Sequence, residues 1–363
     1  MKYTALVLAL IVGIELFIFF GKIDIPIQFE TRVLSSQTEN ITKDSAEKEI
    51  RQALHQEEAD LTSIFTKNYD LLGSQKILDI MEEELPVCHG EAHRLGEVIY
   101  DKTGDYNIAY EKCGDRCSTG CMHGIINRAF AQESRRVISG GKILDLTNLK
   151  SKISEFCSQE DPYEKSNCIH GVGHAMVFIT NYNIEESIKG CGLIDDIFHE
   201  YDCVAGVFME FNPTASHPKQ LASQLHYPCD TFREFPSACY RYKAWQIISF
   251  LGGVDNAANE CTTLEDKRQR WGCFHGLGTE QFEEVYNNPQ AILEVCRYGE
   301  FNDKRECVAG AIERISYHHR DEDVDLQACE FLQGELKDFC KEVASYRNVT
   351  LEHSYDFYFG ESI

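Results

Sequence analysis

The clearest alternation of apolar and polar positions lies at residues 289–347. There PQAILEVC reads as a short helix ending in Cys296, and RYGEFND as a loop with Gly299 and Asn302 as turn formers. KRECVAGAIERISYHH follows as an amphipathic helix with Cys307 in its first turns, and DLQACEFL and KDFCKEVASY repeat the plan with Cys329 and Cys340. Upstream, the stretch from Ser45 to Leu85 alternates apolar positions with Glu and Lys, as a capping or stalk helix does. Residues 21–44 form a polar linker containing Pro26, and the tail from Asn348 is aromatic and acidic, with Tyr355, Phe357, Tyr358 and Phe359. One long apolar run stands apart: ALVLALIVGIELFIFF at 5–20, preceded by Lys2 and interrupted by Glu15. It is short for a spanning helix, and it ends in Phe-Ile-Phe-Phe-Gly-Lys where a cleaved signal peptide has small residues. The expectation is an uncleaved signal anchor over 1–20, with an ordinary signal peptide as the alternative.

The sixteen cysteines divide the remainder into like units. From residue 113 onward they come in pairs: Cys113/Cys121, Cys157/Cys168, Cys191/Cys203, Cys229/Cys239, Cys261/Cys273, Cys296/Cys307 and Cys329/Cys340. The second members step along by 47, 35, 36, 34, 34 and 33 residues, and a period near 34 is the length of a helix–turn–helix repeat. Each pair flanks an inter-helix turn, where antiparallel helices meet at a separation that suits a disulfide. Cys88 and Cys117 remain for an eighth bridge. The spacing Cys113-x3-Cys117-x3-Cys121 also suits thiolate metal ligation, but an even cysteine count in an exported chain argues for bridges. The predicted fold is therefore all-α: helix–turn–helix repeats over 88–347, in a solenoid or a closed α/α toroid. They follow the anchor (1–20), the linker (21–44) and capping or stalk helices (45–87), and precede the tail (348–363).

Composition narrows the partners. The chain has 363 residues, is 43% hydrophobic and carries a formal net charge of −24, so a sizeable core is available for one large domain or two ordinary ones. No basic patch is present, which excludes nucleic acid as a partner, because phosphate backbones need clustered Lys and Arg. An acidic surface suits cations, basic partners or simple solubility. There is no C-x-x-C-H for covalent haem, no nucleophile elbow, no phosphate loop and no dinucleotide fingerprint. Asn40 and Asn348 each begin a glycosylation sequon.

HRLGEVIYDKTGDYNIAYEKC (93–113) resembles a Sel1-like repeat, a relative of the tetratricopeptide repeat. Leu95, Gly96, Tyr100, Gly104, Ala109 and Tyr110 fall where that family places its Leu-Gly, Tyr, Gly and Ala-x-x-Tyr-type residues, and some secreted members carry a cysteine pair per repeat. The detailed match covers about one repeat; the rest shares the period and the pairing without the Leu-Gly and Gly-x-Gly signature. The resemblance implies a curved helical solenoid acting as a scaffold, and it supplies no catalytic residue.

Candidate chemistry sits in a recurring Cys-x-His-Gly box. With the second cysteines aligned, His-Gly stands at 123–124, 170–171 and 275–276, and Ala-Gly at 205–206 and 309–310; His89-Gly90 lies one place nearer to Cys88. A helix-interior glycine costs about 1 kcal/mol against alanine, so its recurrence implies close helix packing. His89/His93 and His170/His174 are i,i+4 pairs on one helical face, the spacing of metal ligands, and Glu210 and Glu280 fall just beyond the corresponding positions of their units. If these helices face inward, His123, His170, His174 and His275 converge with a carboxylate on zinc, copper or iron(II). The competing reading is inheritance: repeats copied by duplication keep their histidines, and buried imidazoles hydrogen-bond carbonyls. The H-E-x-x-H protease motif is absent. His318-His319-Arg320 ends a helix, where cations complement the dipole.

Two functions follow as expectations. The first is an interaction scaffold tethered to the membrane through residues 4–20, its concave face binding another extracytoplasmic protein or peptide. The second is a metal-binding protein or metalloenzyme built on the histidine boxes.

Overall fold

The computed structural model describes residues 42–85, 87–114, 116–139, 146–211, 225–319 and 322–345. The expected anchor, both sequons at Asn40 and Asn348, and the 348–363 tail lie outside the described residues. Among the described residues no strand occurs, and no helix is long and apolar enough to cross a membrane.

Two helices, α1 (Lys43–Leu54) and α2 (Leu61–Glu84), precede the first box. The boxes themselves ride on long helices: α3 (His89–Thr103), α5 (Gly120–Ser139), α7 (Pro162–Ile179), α9 (Ile197–Phe211), α10 (Pro236–Leu251), α12 (Lys267–Glu280) and α15 (Phe301–His318). Shorter helices alternate with them: α4 (Tyr106–Cys113), α6 (Leu146–Phe156), α8 (Ile184–Cys191), α11 (Val254–Thr262), α13 (Phe282–Asn287), α14 (Ile292–Val295) and α16 (Val324–Glu330). The last helix, α17 (Gly334–Ser345), is of the long kind.

Local chemistry sets these boundaries. At the start of α7 the Asp161 side chain accepts from the Glu164 amide and Pro162 stands in the first turn, an N-terminus in which the proline sacrifices no hydrogen bond. Asp105 caps α4 in the same way through the Ile108 amide. Between α3 and α4, Gly104 takes the left-handed conformation (φ 65°) that ends a helix and that a side chain disfavours.

The expected capping segment is a hairpin. α1 packs on α2 and α2 on α3, burying Ile50, Phe65, Ile77 and Leu78 completely, while Arg51 reaches Glu83 and Glu84 across the pair.

All sixteen cysteines are bridged. Cys113–Cys121, Cys157–Cys168, Cys191–Cys203, Cys229–Cys239, Cys261–Cys273, Cys296–Cys307 and Cys329–Cys340 each tie a short helix or turn to the long helix that follows, and Cys88–Cys117 ties α3 to the turn before α5. The thiolate reading of Cys113, Cys117 and Cys121 is thereby corrected: a sulfur in a disulfide has no thiolate to offer a metal. Closing loops this short stabilises by about 2–3 kcal/mol each in the loop-entropy picture. Such staples matter where each hairpin has a thin core of its own.

Consecutive long helices pack side by side from α3 through α5, α7, α9, α10, α12 and α15 to α17. Glycines sit at the crossings. A Cβ on Gly124 would collide with the His93 carbonyl, one on Gly206 with the His170 carbonyl, one on Gly276 with the Arg241 carbonyl and one on Gly310 with the His275 carbonyl. The box glycine is thus the point where neighbouring backbones touch. The two ends of the series also meet. Tyr317 and His318 on α15 hydrogen-bond Ser118 and Thr119 in the turn before α5, about 200 residues earlier in the chain. Val87 packs against the apolar cluster of α13–α17, which includes Phe282, Ile312 and Val343.

Candidate metal centre

Three adjacent long helices, α3, α5 and α7, carry the histidine cluster. His89 and His93 lie one turn apart on α3, His123 on α5, and His170 and His174 one turn apart on α7. Three glycines let these helices approach closely enough for the rings to meet. Gly120 and Gly124 lie against the backbone of His89 and His93, and a Cβ at Gly171 would come within 2.9 Å of the His123 ring. In this part of the chain, one box residue supplies the ring and its neighbour supplies the space for the next ring.

The five rings form one contiguous group with neighbouring centroids 4.8–5.6 Å apart. One ring nitrogen each of His89, His93 and His123 lies within 4.8 Å of the others. The Nε2 atoms of His89 and His93 are 3.1 Å apart. Two nitrogens on one tetrahedral zinc, with Zn–N near 2.0–2.1 Å, stand about 3.3 Å apart, so this is a ligand-edge separation.

The outward nitrogens have partners that fix the tautomers. His89 Nδ1–H donates to the Ser118 carbonyl at 2.8 Å, leaving Nε2 as the lone pair of a neutral ring. His123 Nε2–H donates to the Asn167 carbonyl at 3.2 Å, and its Nδ1 is buried with no hydrogen-bond partner. His174 Nδ1–H donates to the Glu210 carboxylate at 2.9 Å, and its Nε2 is likewise buried and unpartnered. Metal-binding histidines use this arrangement, one nitrogen held by a carbonyl or carboxylate and the other turned to the ion. His170 Nε2 lies 3.3 Å from the Met209 sulfur, a soft neighbour beside the imidazoles.

Electrostatics keep His89, His93, His123 and His170 neutral. Burial pushes His89 down to about 3, with the positive charge of Arg314 adding to the effect. Burial likewise holds His93, His123 and His170 well below the usual imidazole range, reinforced by neighbouring histidines. Neutral imidazole is the ligand form, and without a shared cation the buried, unpartnered nitrogens of His123 and His174 lack a hydrogen-bonding rationale.

The sequence expectation and the geometry differ in detail. His170 and His174 belong to the cluster, but its tightest triad is His89, His93 and His123, where the sequence put its emphasis on His170 with His174. Glu210 orients His174. His275 occupies the same box position as His123 and His170, yet its Nε2 lies 3.1 Å from Glu313 and its Nδ1 4.0 Å from Glu306, two carboxylates of α15. Glu280 sits at the end of α12, where burial raises its carboxyl above the ordinary range and Arg314 opposes the shift. His318 corrects the helix-dipole reading. Its ring hydrogen-bonds Ser118 Oγ, and burial, with Arg314 beside it, pushes it far below the imidazole range, so it offers the helix end no positive charge.

Sequence reasoning passed over two groups of residues. The Ser118 and Asn167 carbonyls hold the rings through backbone atoms that leave no signature in a sequence. Arg241 and Arg314 face the same interior: Arg241 pairs with Glu313 at 3.3 Å, and the Arg314 guanidinium stacks over Phe282 at 5.7 Å. For Arg314 a signal existed, since it follows Glu313 inside the apolar stretch VAGAIERIS, where a charged pair is out of place on a purely packed helix. Comparison with protein-family models, curated proteins and solved structures found no match to this chain.

Proposed function

We propose that the protein binds a first-row transition-metal ion through the interior histidines, with His89, His93 and His123 as the central ligands and His174 beside them. The carrying observation is the convergence of interior imidazoles, two of them with a partnerless buried nitrogen while the opposite nitrogen is held by a carbonyl or a carboxylate. A nitrogen-rich donor set suits zinc, copper or iron(II), and the Met209 thioether near His170 adds a soft donor that copper(I) prefers. We read the helical array as closed, because the contact of Tyr317 and His318 with Ser118 and Thr119 brings the last box helix to the turn that the Cys88–Cys117 bridge ties to α3, and closure gives the inward histidines one shared interior. The chemistry favours this reading over an interaction scaffold, because the side chains that recur at box positions are buried against one another and presented to no partner.

The test uses the purified full-length chain, loaded in turn with zinc, copper(I) and iron(II), with metal content measured by mass spectrometry. About one ion per chain and a raised melting temperature are expected. His123→Ala removes a central ligand and should abolish stoichiometric loading while the disulfides preserve the helical circular dichroism. Glu210→Gln should weaken affinity by roughly 10–100-fold, as loss of a ligand-orienting partner does. Wild-type protein that takes up none of the three ions and gains no thermal stability from them would refute the reading.

A further inference from the structure

Arg314 is placed to meet a ligand. It lies on the same face of α15 as Tyr317 and His318, three and four residues on. Those two side chains grip the Ser118–Thr119 turn, and the Ser118 carbonyl in that turn is the acceptor for His89 Nδ1. The guanidinium lies near enough to the histidine cluster for its charge to act on His89. Its neighbours do not satisfy it. Its Nε is buried without a hydrogen-bond partner, and it forms no ion pair with any described residue. The adjacent carboxylate, Glu313, is engaged with Arg241 and His275. The charged and titratable groups around it are Glu280 on α12, Arg241 and Tyr242 on α10, Tyr317 and His318 on its own helix, and His89 on α3. A guanidinium stays protonated in this setting; the Glu280 carboxylate offsets its charge but leaves the buried Nε–H without an acceptor. Its planar fork matches the two oxygens of a carboxylate or a phosphate.

We propose that Arg314 is an anion-recognition residue of the interior site, holding the carboxylate or phosphate group of a small ligand beside the histidine-bound metal. This rests on the metal reading above as far as the second contact of the anion is concerned; the first contact, to Arg314, stands on its buried Nε without a hydrogen-bond partner and on the planar fork it presents. The shared chemistry is a small oxyanion, and acetate and inorganic phosphate are the probes that separate its two forms.

The experiment is calorimetric titration of the zinc-loaded full-length chain with each probe. Wild-type protein is expected to bind one of them at one site per chain. Arg314→Gln should weaken that binding at least tenfold with zinc content unchanged, and Arg314→Lys, which keeps the charge but loses the fork, should fall between the two. Binding of neither probe, or equal binding by wild type and Arg314→Gln, overturns the proposal. If Arg314→Gln does not fold, Arg314→Lys decides, with affinity equal to wild type counting against it. If zinc does not load at all, the metal reading fails by itself and the same series is run on metal-free protein. Arg314-dependent anion binding there upholds this inference, and its absence overturns it.

Discussion

Asp202 shows what the interior asks of a single residue. It lies on α9, nearly buried, and its carboxyl accepts from Ser166 Oγ of α7 at 2.7 Å. Burial pushes its pKa up to about 8, against the opposing influence of Ser166 and Arg241. The folded value is above the unfolded one, near 3.9, so the unfolded chain releases this proton first as pH rises. Stability from this group is therefore intact below about pH 4 and is lost progressively toward pH 8. Asp202→Asn keeps the shape and the acceptor while removing the titration. At pH 7.5 it should unfold at higher urea than wild type, by an amount of roughly a few kcal/mol at most, and at pH 4 the two should coincide. A variant no more stable than wild type at pH 7.5 would mean that the carboxylate is ionised and satisfied in the folded protein. Residues also show where sequence reading stops. The i,i+4 pairs His89/His93 and His170/His174 were legible because helical periodicity alone puts them on one face. His275 was not, because the box fixes only that its ring turns inward. What stands opposite is set by the next helix: α5 meets the histidines of α3, whereas α12 meets Glu306 and Glu313 of α15. The cysteine pairs were the most legible feature, since both members lie within one turn's reach along the chain, and no choice among distant partners arises.

At the level of the helix pair, each member of the Cys-x-His-Gly box has a separate task. The cysteine staples the helix to the preceding short one, the histidine enters the interior, and the glycine brings the neighbouring backbone into contact. The crossing of α3 and α5 makes the third task testable. A methyl at Gly124 would overlap the His93 carbonyl, which belongs to a helix backbone and cannot swing aside as a side chain would. Gly124→Ala gains helix propensity of about 1 kcal/mol. Overpacking costs of about 1–3 kcal/mol oppose it, and forcing the helices apart adds to them. The expected outcome is a lower melting temperature together with weaker metal loading, because His93 moves with the backbone that is displaced. The control is Gly90→Ala on α3, where a Cβ meets nothing within 4 Å; it should leave both measurements unchanged or slightly raise stability. Equal behaviour of the two variants would show that the box glycine does not set the helix separation. This role was readable in outline from the recurrence of glycine inside helices. The identity of the backbone it touches was not, because that depends on the crossing point of two helices and leaves no mark in either sequence.

Across the whole molecule, the contact between the last box helix and the turn before α5 ties architecture to site. The Tyr317 hydroxyl donates to the Ser118 carbonyl at 2.8 Å and lies 2.6 Å from Thr119 Oγ1. The same Ser118 carbonyl receives the His89 Nδ1 proton at 2.8 Å. A residue near the end of the chain and a histidine near its start thus share one acceptor, and opening the array would disturb the ring that the carbonyl orients. A period near 34 allows an open or a closed array equally well, since periodicity specifies the step between units and not the small rotation that decides whether the series returns on itself. A double-mutant cycle measures the closure directly. Tyr317→Phe and Thr119→Val each remove one side of the contact, and each should destabilise the full-length protein by about 1 kcal/mol, the usual net worth of a hydrogen bond. If the ends are joined in solution, the double variant should lose less than the sum, with a coupling of about 0.5–1.5 kcal/mol between positions 198 residues apart. Strict additivity in urea unfolding would show that they are not joined. Tyr317→Phe should also weaken metal loading modestly while Tyr286→Phe, which loses only an exposed bond to Glu322, leaves it unchanged. That difference follows if the closing contact and the metal centre are held by the same carbonyl.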